Sequence, residues 1–451
     1  MSSRRSSAGA APADKGRRAQ RIGLAGVTDP YLQAHRLAER AYLASHLTPI
    51  SLRDQVLRGA TLVARLLQSG EIAPDRPLLV AGAGAAGVTA ALAAVRAGVP
   101  AMLFEASNDS LALQRFAGSR FIDPAVYDWP VDHWGSRLLR HGGSVPLPFA
   151  ADYASRLASQ WMATLQAQAA APATLLTCYW GAAAIGIATI QLPDTTLGTR
   201  VVLDGVGSFE GGALIWATGD KQEDTAIAGS GFTGRPFWGP DDLTMLGAGA
   251  RVLVSGAGDG ALQDALRALT GRDDMGYLLR DLDIDPAAAA LVQSAEDRAH
   301  RIRVWLPAGG SRANCFRELD DVHRDAVNIA LAAPRLRTTV DATLAAGRPM
   351  VCVVHRQPWL TAYYGLNRFL ALLFDRFLRN AGRDPLLYPG ATIAGVTASA
   401  ASGWDVSFNG TAAPPAGRFD RVVVRHGYKD MAPIPLPAPL IRNHLLPYHC
   451  P

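Results

Sequence analysis

The stretch LLVAGAGAAGVTAALAAVRAGVPAMLFEAS, residues 78–107, sets three glycines and one acid at spacings that suit phosphate chemistry. Residues 78–80 read as a short apolar strand, Gly82-Ala83-Gly84-Ala85-Ala86-Gly87 as a tight turn, and the residues up to Arg96 as a helix closed by Gly98. Gly82 permits the turn, Gly84 lets backbone N–H groups approach a pyrophosphate, and Gly87 lets the helix pack closely on the strand. The phosphates would then sit at the positive end of the helix dipole. Residues 101–104 predict a second strand ending on Glu105, where a carboxylate accepts hydrogen bonds from a ribose. The flanking strand, the small Ala91 and the position of the acid separate this pattern from an ordinary Ala-rich core helix. The candidate dinucleotide-binding residues are Gly82, Ala83, Gly84, Ala86, Gly87 and Glu105.

Three later segments follow the same logic. GGALIWATGD, 211–220, is an apolar strand running into Thr218, Gly219 and Asp220. RVLVSGAGDGALQDAL, 251–266, is again strand, glycine turn and helix, with Gly256, Gly258 and Gly260 and with Ala261 in the last small-residue slot. FDRVVVRHGYKD, 419–430, repeats the strand-then-glycine design and ends on Arg425-His426-Gly427.

That order resembles the flavoproteins with two dinucleotide-binding domains, the flavin-containing monooxygenase and pyridine nucleotide-disulfide oxidoreductase group, over roughly residues 77–430. The resemblance implies an α/β fold in which an FAD-binding Rossmann-like domain, 76–230 and 385–451, carries an inserted second Rossmann-like NAD(P)-binding domain, 231–384. It implies FAD on Gly82, Gly84, Gly87 and Glu105, with Thr218, Gly219 and Asp220 alongside. A nicotinamide cofactor would take Gly256, Gly258, Gly260 and Ala261.

The departures narrow the activity. Four scattered cysteines form no CxxC pair, so the redox disulfide of the reductases is missing. The monooxygenase segment FxGxxxH has a loose counterpart in FTGRPFWGPDDL, 232–243, with Trp238 where the histidine falls. If the strand before His426 returns to the flavin domain, His426 lies near the flavin ring and is the candidate proton-handling residue. Residues 271–300 read as a helical insertion before an expected strand RIRVWLP. No acid marks the tip of that strand, while Arg312 beyond it suits a 2′-phosphate, which favours NADPH. Asp259 brings a negative charge toward the second turn and keeps a vestigial second site open.

The remaining segments are plainer. Residues 1–21 form a basic tail, expected to be disordered, and 22–75 suggest an N-terminal extension of two helices with Ser51 as an N-cap. The Trp- and Asp-rich stretch 119–139, with Arg120 and Asp123, and Tyr363, Tyr364 and Asn367 near the start of an amphipathic helix are pocket candidates. The formal charge of +5 is mild for 451 residues, so nucleic acid is not the expected partner. No apolar run reaches the roughly 18 residues of a membrane span. The cysteine usage fits a reduced cytoplasmic protein, no spacing suggests a metal, and homo-oligomerisation stays open. The expected function is an FAD-dependent, NAD(P)H-linked oxidoreductase of monooxygenase type acting on a small molecule. An FAD-only oxidase or dehydrogenase and a non-catalytic or RNA-associated nucleotide-binding protein are the alternatives.

Overall fold

A computed structural model describes residues 29–45, 51–124, 126–130, 145–147, 149–219, 222–305, 312–344 and 347–429. The basic tail, Trp134, Asp220 and the Pro-rich segment after 429 lie outside them.

Two parallel sheets are built to one plan. The first orders its strands Arg36–Ala38, Ala41–Leu43, Ala213–Trp216, Leu78–Ala81, Ala101–Glu105 and Leu176–Trp180. The second orders them Leu387–Pro389, Met350–His355, Arg251–Ser255 and Arg421–Val424. In each, a glycine-turn strand lies between a returning strand on one side and a tip strand on the other, all three parallel. LLVA and ALIW are buried along their whole length, as suits parallel strands covered on both faces.

The likeness extends beyond the turns. Each glycine turn opens a helix, Ala85–Arg96 or Asp259–Thr270. A second helix, Ala154–Ala169 or Gly365–Asn380, precedes the fourth strand of each set. An antiparallel three-stranded sheet then intervenes before the returning strand, 184–211 in the first unit and 392–419 in the second. The chain passes between the units at Gln222–Glu223, and this short strand pairs antiparallel with Tyr428–Lys429. No described helix is long and apolar enough to cross a membrane.

Several expectations change. The extension is more than two helices. Helix Pro30–His35 leads into the hairpin Arg36–Ala38 and Ala41–Leu43, whose second strand pairs parallel with Ala213–Trp216 and joins the sheet. Only helix Leu52–Gln68 forms as read, with Ser51 and Asp54 making a capping box. That helix presses on the first glycine turn, since a Cβ at Gly59 would come 2.3 Å from the Ala86 carbonyl oxygen. Residues 301–305 of RIRVWLP are no strand but end the helix Pro286–Trp305. The insertion therefore runs past 300 through helices Met275–Leu282, Pro286–Trp305, Arg312–Ala332 and Pro334–Thr343. Finally, Leu387–Pro389 and Arg421–Val424 are strands of the second sheet, so residues 387–424 belong to the second unit rather than the first.

Candidate functional site

The first glycine turn lies where the strands Leu78–Ala81, Ala101–Glu105 and Ala213–Trp216 all end. Gly82 has φ +99°, and a Cβ there would come 2.4 Å from the Ala217 carbonyl oxygen. Gly87 is demanded by packing, its Cβ falling 1.8 Å from the Gly82 carbonyl oxygen. Gly84 is different. Its φ of −77° and ψ of −175° suit any residue, and an added Cβ would meet nothing within 4 Å. Neither strain nor internal packing requires a glycine there, and the position leaves the backbone open to close approach.

The donors and acceptors around that space fit a dinucleotide. Gly84 is the N-cap of its helix, and no side chain caps it. The Glu105 carboxylate accepts from the Ala83 N–H at 2.7 Å and from the Ser107 N–H and hydroxyl, both at 2.8 Å. It is held at the mouth of the turn, where a sugar hydroxyl would come. The buried Thr218 hydroxyl finds no partner among the described residues, an acceptor and donor left over beside the turn. Ala86 lies on the helix face against Gly59, so its carbonyl serves packing. Gly219 follows with φ +61°.

The second turn repeats backbone hydrogen bonds of the first. The Gly82 N–H donates to Phe104 O at 2.7 Å, and the Gly256 N–H to Val354 O at 3.0 Å. The Leu111 N–H donates to Ala83 O at 2.9 Å, and the Thr361 N–H to Ala257 O at 2.9 Å. Gly256 has φ +141°, and its Cβ would come 2.3 Å from the Arg425 carbonyl oxygen. Gly258 has φ −88°, and a Cβ there would find only the Thr361 hydroxyl, 3.8 Å away. Gly260 lies 3.4 Å from the Phe237 ring by the same construction, and Ala261 is buried where Gly87 stands in the first unit.

The Asp259 carboxylate has donors of its own beside the turn. Its carboxylate is turned to the start of helix Gly365–Asn380, where it accepts from the Tyr363 N–H at 2.6 Å, the Tyr364 N–H at 3.1 Å and the Asn367 amide at 2.9 Å. Burial raises its pKa, and these three donors oppose the rise.

The strand tip also moves. By register His355 stands where Glu105 does, with its Nδ1 2.7 Å from the Gln357 carbonyl oxygen. The exposed Arg356 follows it. Arg312 instead opens a helix of the insertion and marks no strand tip. Sequence reasoning missed Arg356 because it placed the second strand at RIRVWLP. The fully apolar run MVCVV before His355 was the signal for a buried parallel strand.

His426 follows the returning strand of the second sheet, not of the first. Its Nε2 lies 2.7 Å from the Ser255 hydroxyl, and its N–H donates to Asp224 O at 3.3 Å. It thus occupies in the second unit the place of Thr218 in the first.

Of the pocket candidates, Asp123, Tyr364 and Asn367 line a narrow crevice between the units, together with Phe121, Tyr127 and Met275. Tyr363 packs edge-on against Phe316 instead, and Trp129 against Phe369. Arg120 is wholly buried in an ion cluster with Asp241 and Asp264. Phe232 is core, and Trp238 packs half-buried on the first unit.

Fold and site together define an α/β protein with two Rossmann-like units, each presenting a glycine turn at the carboxyl ends of its strands. Solved structures similar to it include the thioredoxin reductase of Lactococcus lactis, at 13% identity and TM-score 0.38 over 79% of each chain. The bacillithiol disulfide reductase of Staphylococcus aureus follows at 11% identity and TM-score 0.39, over 79% of this chain and 77% of that one. OTEMO in complex with FAD and NADP has 13% identity and TM-score 0.37, over 79% and 72%. No protein-family model matches the sequence, and no curated protein matches it significantly.

Proposed function

We propose that the protein is an FAD-dependent oxidoreductase that draws its electrons from NADPH. One observation carries this reading: the same turn is built twice, and in each the middle glycine is required by neither backbone strain nor internal packing. In the first unit the backbone N–H groups around Gly84 would hold the diphosphate of FAD. Glu105 would hold its ribose, and the Thr218 hydroxyl would gain a partner. In the second, Gly258 and Gly260 would admit the diphosphate of the nicotinamide cofactor, and Arg356 in place of Arg312 would meet a 2′-phosphate.

Bound FAD supplies the hydride acceptance and onward electron transfer; the protein's own part is to hold, orient and shield. His426, beside Ser255, is a polar group at the nicotinamide turn and not at the flavin turn. Without a CxxC pair the electrons have no protein disulfide to enter, which favours oxygen or an organic acceptor and a monooxygenase acting on a small molecule. With Asp259 turned away, the charge that had favoured an FAD-only enzyme no longer does so.

An absorbance spectrum under nitrogen, before and after NADPH and then in air, tests the reading. A yellow protein bleached by NADPH supports it. Protein that stays colourless after FAD is added would overturn it.

A further inference from the structure

Residues 356–364 join the second tip strand to helix Gly365–Asn380 and run along the second glycine turn. They touch it three times: the Thr361 N–H donates to Ala257 O, and the Tyr363 and Tyr364 N–H groups donate to the Asp259 carboxylate. Behind them stands the helical insertion, which the proposed function leaves without a role. Asp320, on helix Arg312–Ala332, accepts from the Leu360 N–H at 2.9 Å and pairs with the Arg368 guanidinium. Arg368 in turn donates to Leu360 O at 3.2 Å and to Ala362 O at 2.7 Å. Both side chains are out of solvent, Arg368 0% and Asp320 1% exposed. Trp359 and Tyr363 pack against Phe316 of helix Arg312–Ala332 and Ala295 and Ala299 of helix Pro286–Trp305. A buried ion pair is weak evidence for stability, and its best-attested use is to select one arrangement.

We propose that Asp320 and Arg368 are positioning residues for the nucleotide of the second turn. By holding residues 360–362 they keep the Tyr363 and Tyr364 N–H groups on Asp259. That keeps the Asp259 carboxylate turned away from the backbone that meets the diphosphate. Released from those donors, the carboxylate would face the phosphates with like charge. This rests on the reading of the second turn as a dinucleotide site.

The test uses the FAD-loaded full chain. Asp320→Asn should raise KM for NADPH on the order of tenfold while leaving kcat at saturation and FAD content unchanged. Adding Asp259→Asn should restore KM, since the offending charge is then gone; a merely structural role of Asp320 predicts no such rescue. Should Asp320→Asn fail to fold, Arg368→Lys, which keeps the charge but loses the two-carbonyl grip, should give the same pattern. Hydrogen exchange needs no cofactor and no variant: the amides of residues 360, 361, 363 and 364 should be protected in the nucleotide-free protein. An unchanged KM, a failed rescue, or rapid exchange of those amides overturns the proposal. A wild-type protein that keeps these amides protected yet binds neither NADPH nor NADP⁺ overturns instead the reading of the second turn, and the nucleotide role with it.

Discussion

The Arg120 guanidinium of the first unit meets the Asp264 carboxylate of the second in an ion pair withdrawn from solvent, 1% and 0% exposed. Arg120 also lies 3.2 Å from Asp241, donates to Phe237 O at 2.6 Å and stacks 4.0 Å over the Phe237 ring. Asp264 is approached as well by Arg267 at 3.2 Å and Arg425 at 2.9 Å. The residue that sequence placed in a substrate pocket is therefore a tie between units.

Removing one partner of such a pair strands the others. Arg120→Ala should cost about 3–5 kcal/mol in urea unfolding. Arg115→Ala, which breaks the half-exposed pair with Asp109, should cost under about 1 kcal/mol. Equal losses from the two variants would contradict the assignment.

The same cluster sets an acid limit. Burial alone would raise the Asp264 carboxyl, but Arg120 and Arg425, with Arg267, outweigh it and hold the pKa down at about 2, against an ordinary 3.8. A depressed carboxyl contributes stability in full above its unfolded value and loses it as pH falls through the folded one. The stability gap between wild type and Asp264→Asn should thus be constant above about pH 5 and narrow by on the order of 2 kcal/mol toward pH 2. A gap independent of pH in acid denaturation would refute this.

The glycines of the first turn separate by role. At Gly84 an added Cβ meets nothing within 4 Å and φ is not forbidden, so the Gly84→Val apoprotein should unfold at the wild-type denaturant midpoint while losing bound flavin. Gly87→Ala drives a Cβ into the Gly82 carbonyl and should lower that midpoint outright. If Gly84→Val retains a full complement of FAD, the cradle lies elsewhere.

Arg356 and Arg312 compete for one task. Arg356→Gln should reduce the preference for NADPH over NADH by roughly tenfold, the loss of a charge-assisted phosphate contact. Arg312→Gln should leave the preference as it is. The ratio of kcat/KM values for the two nucleotides decides, and the opposite result would return the role to Arg312.

What the sequence alone determined was local. Strand, glycine turn, helix and tip acid follow one another within about thirty residues, so 78–105 could be read directly, as could Ser51 at its helix start. The second tip strand could not, because four helices beyond the one its turn opens separate it from that turn, and only pairing with Arg251–Ser255 identifies Met350–His355. Arg421–Val424 looks like the returning strand of either sheet, and its neighbour was settled by hydrogen bonds to Val252, not by its own residues. Arg120, Asp259 and Asp320 carry acid and base types that suit a pocket. Tertiary packing turned each toward a buried partner, because a charge removed from water must find an opposite charge or a row of N–H groups. Order along the chain is written in the sequence; which charge meets which is decided only when distant segments close on one another.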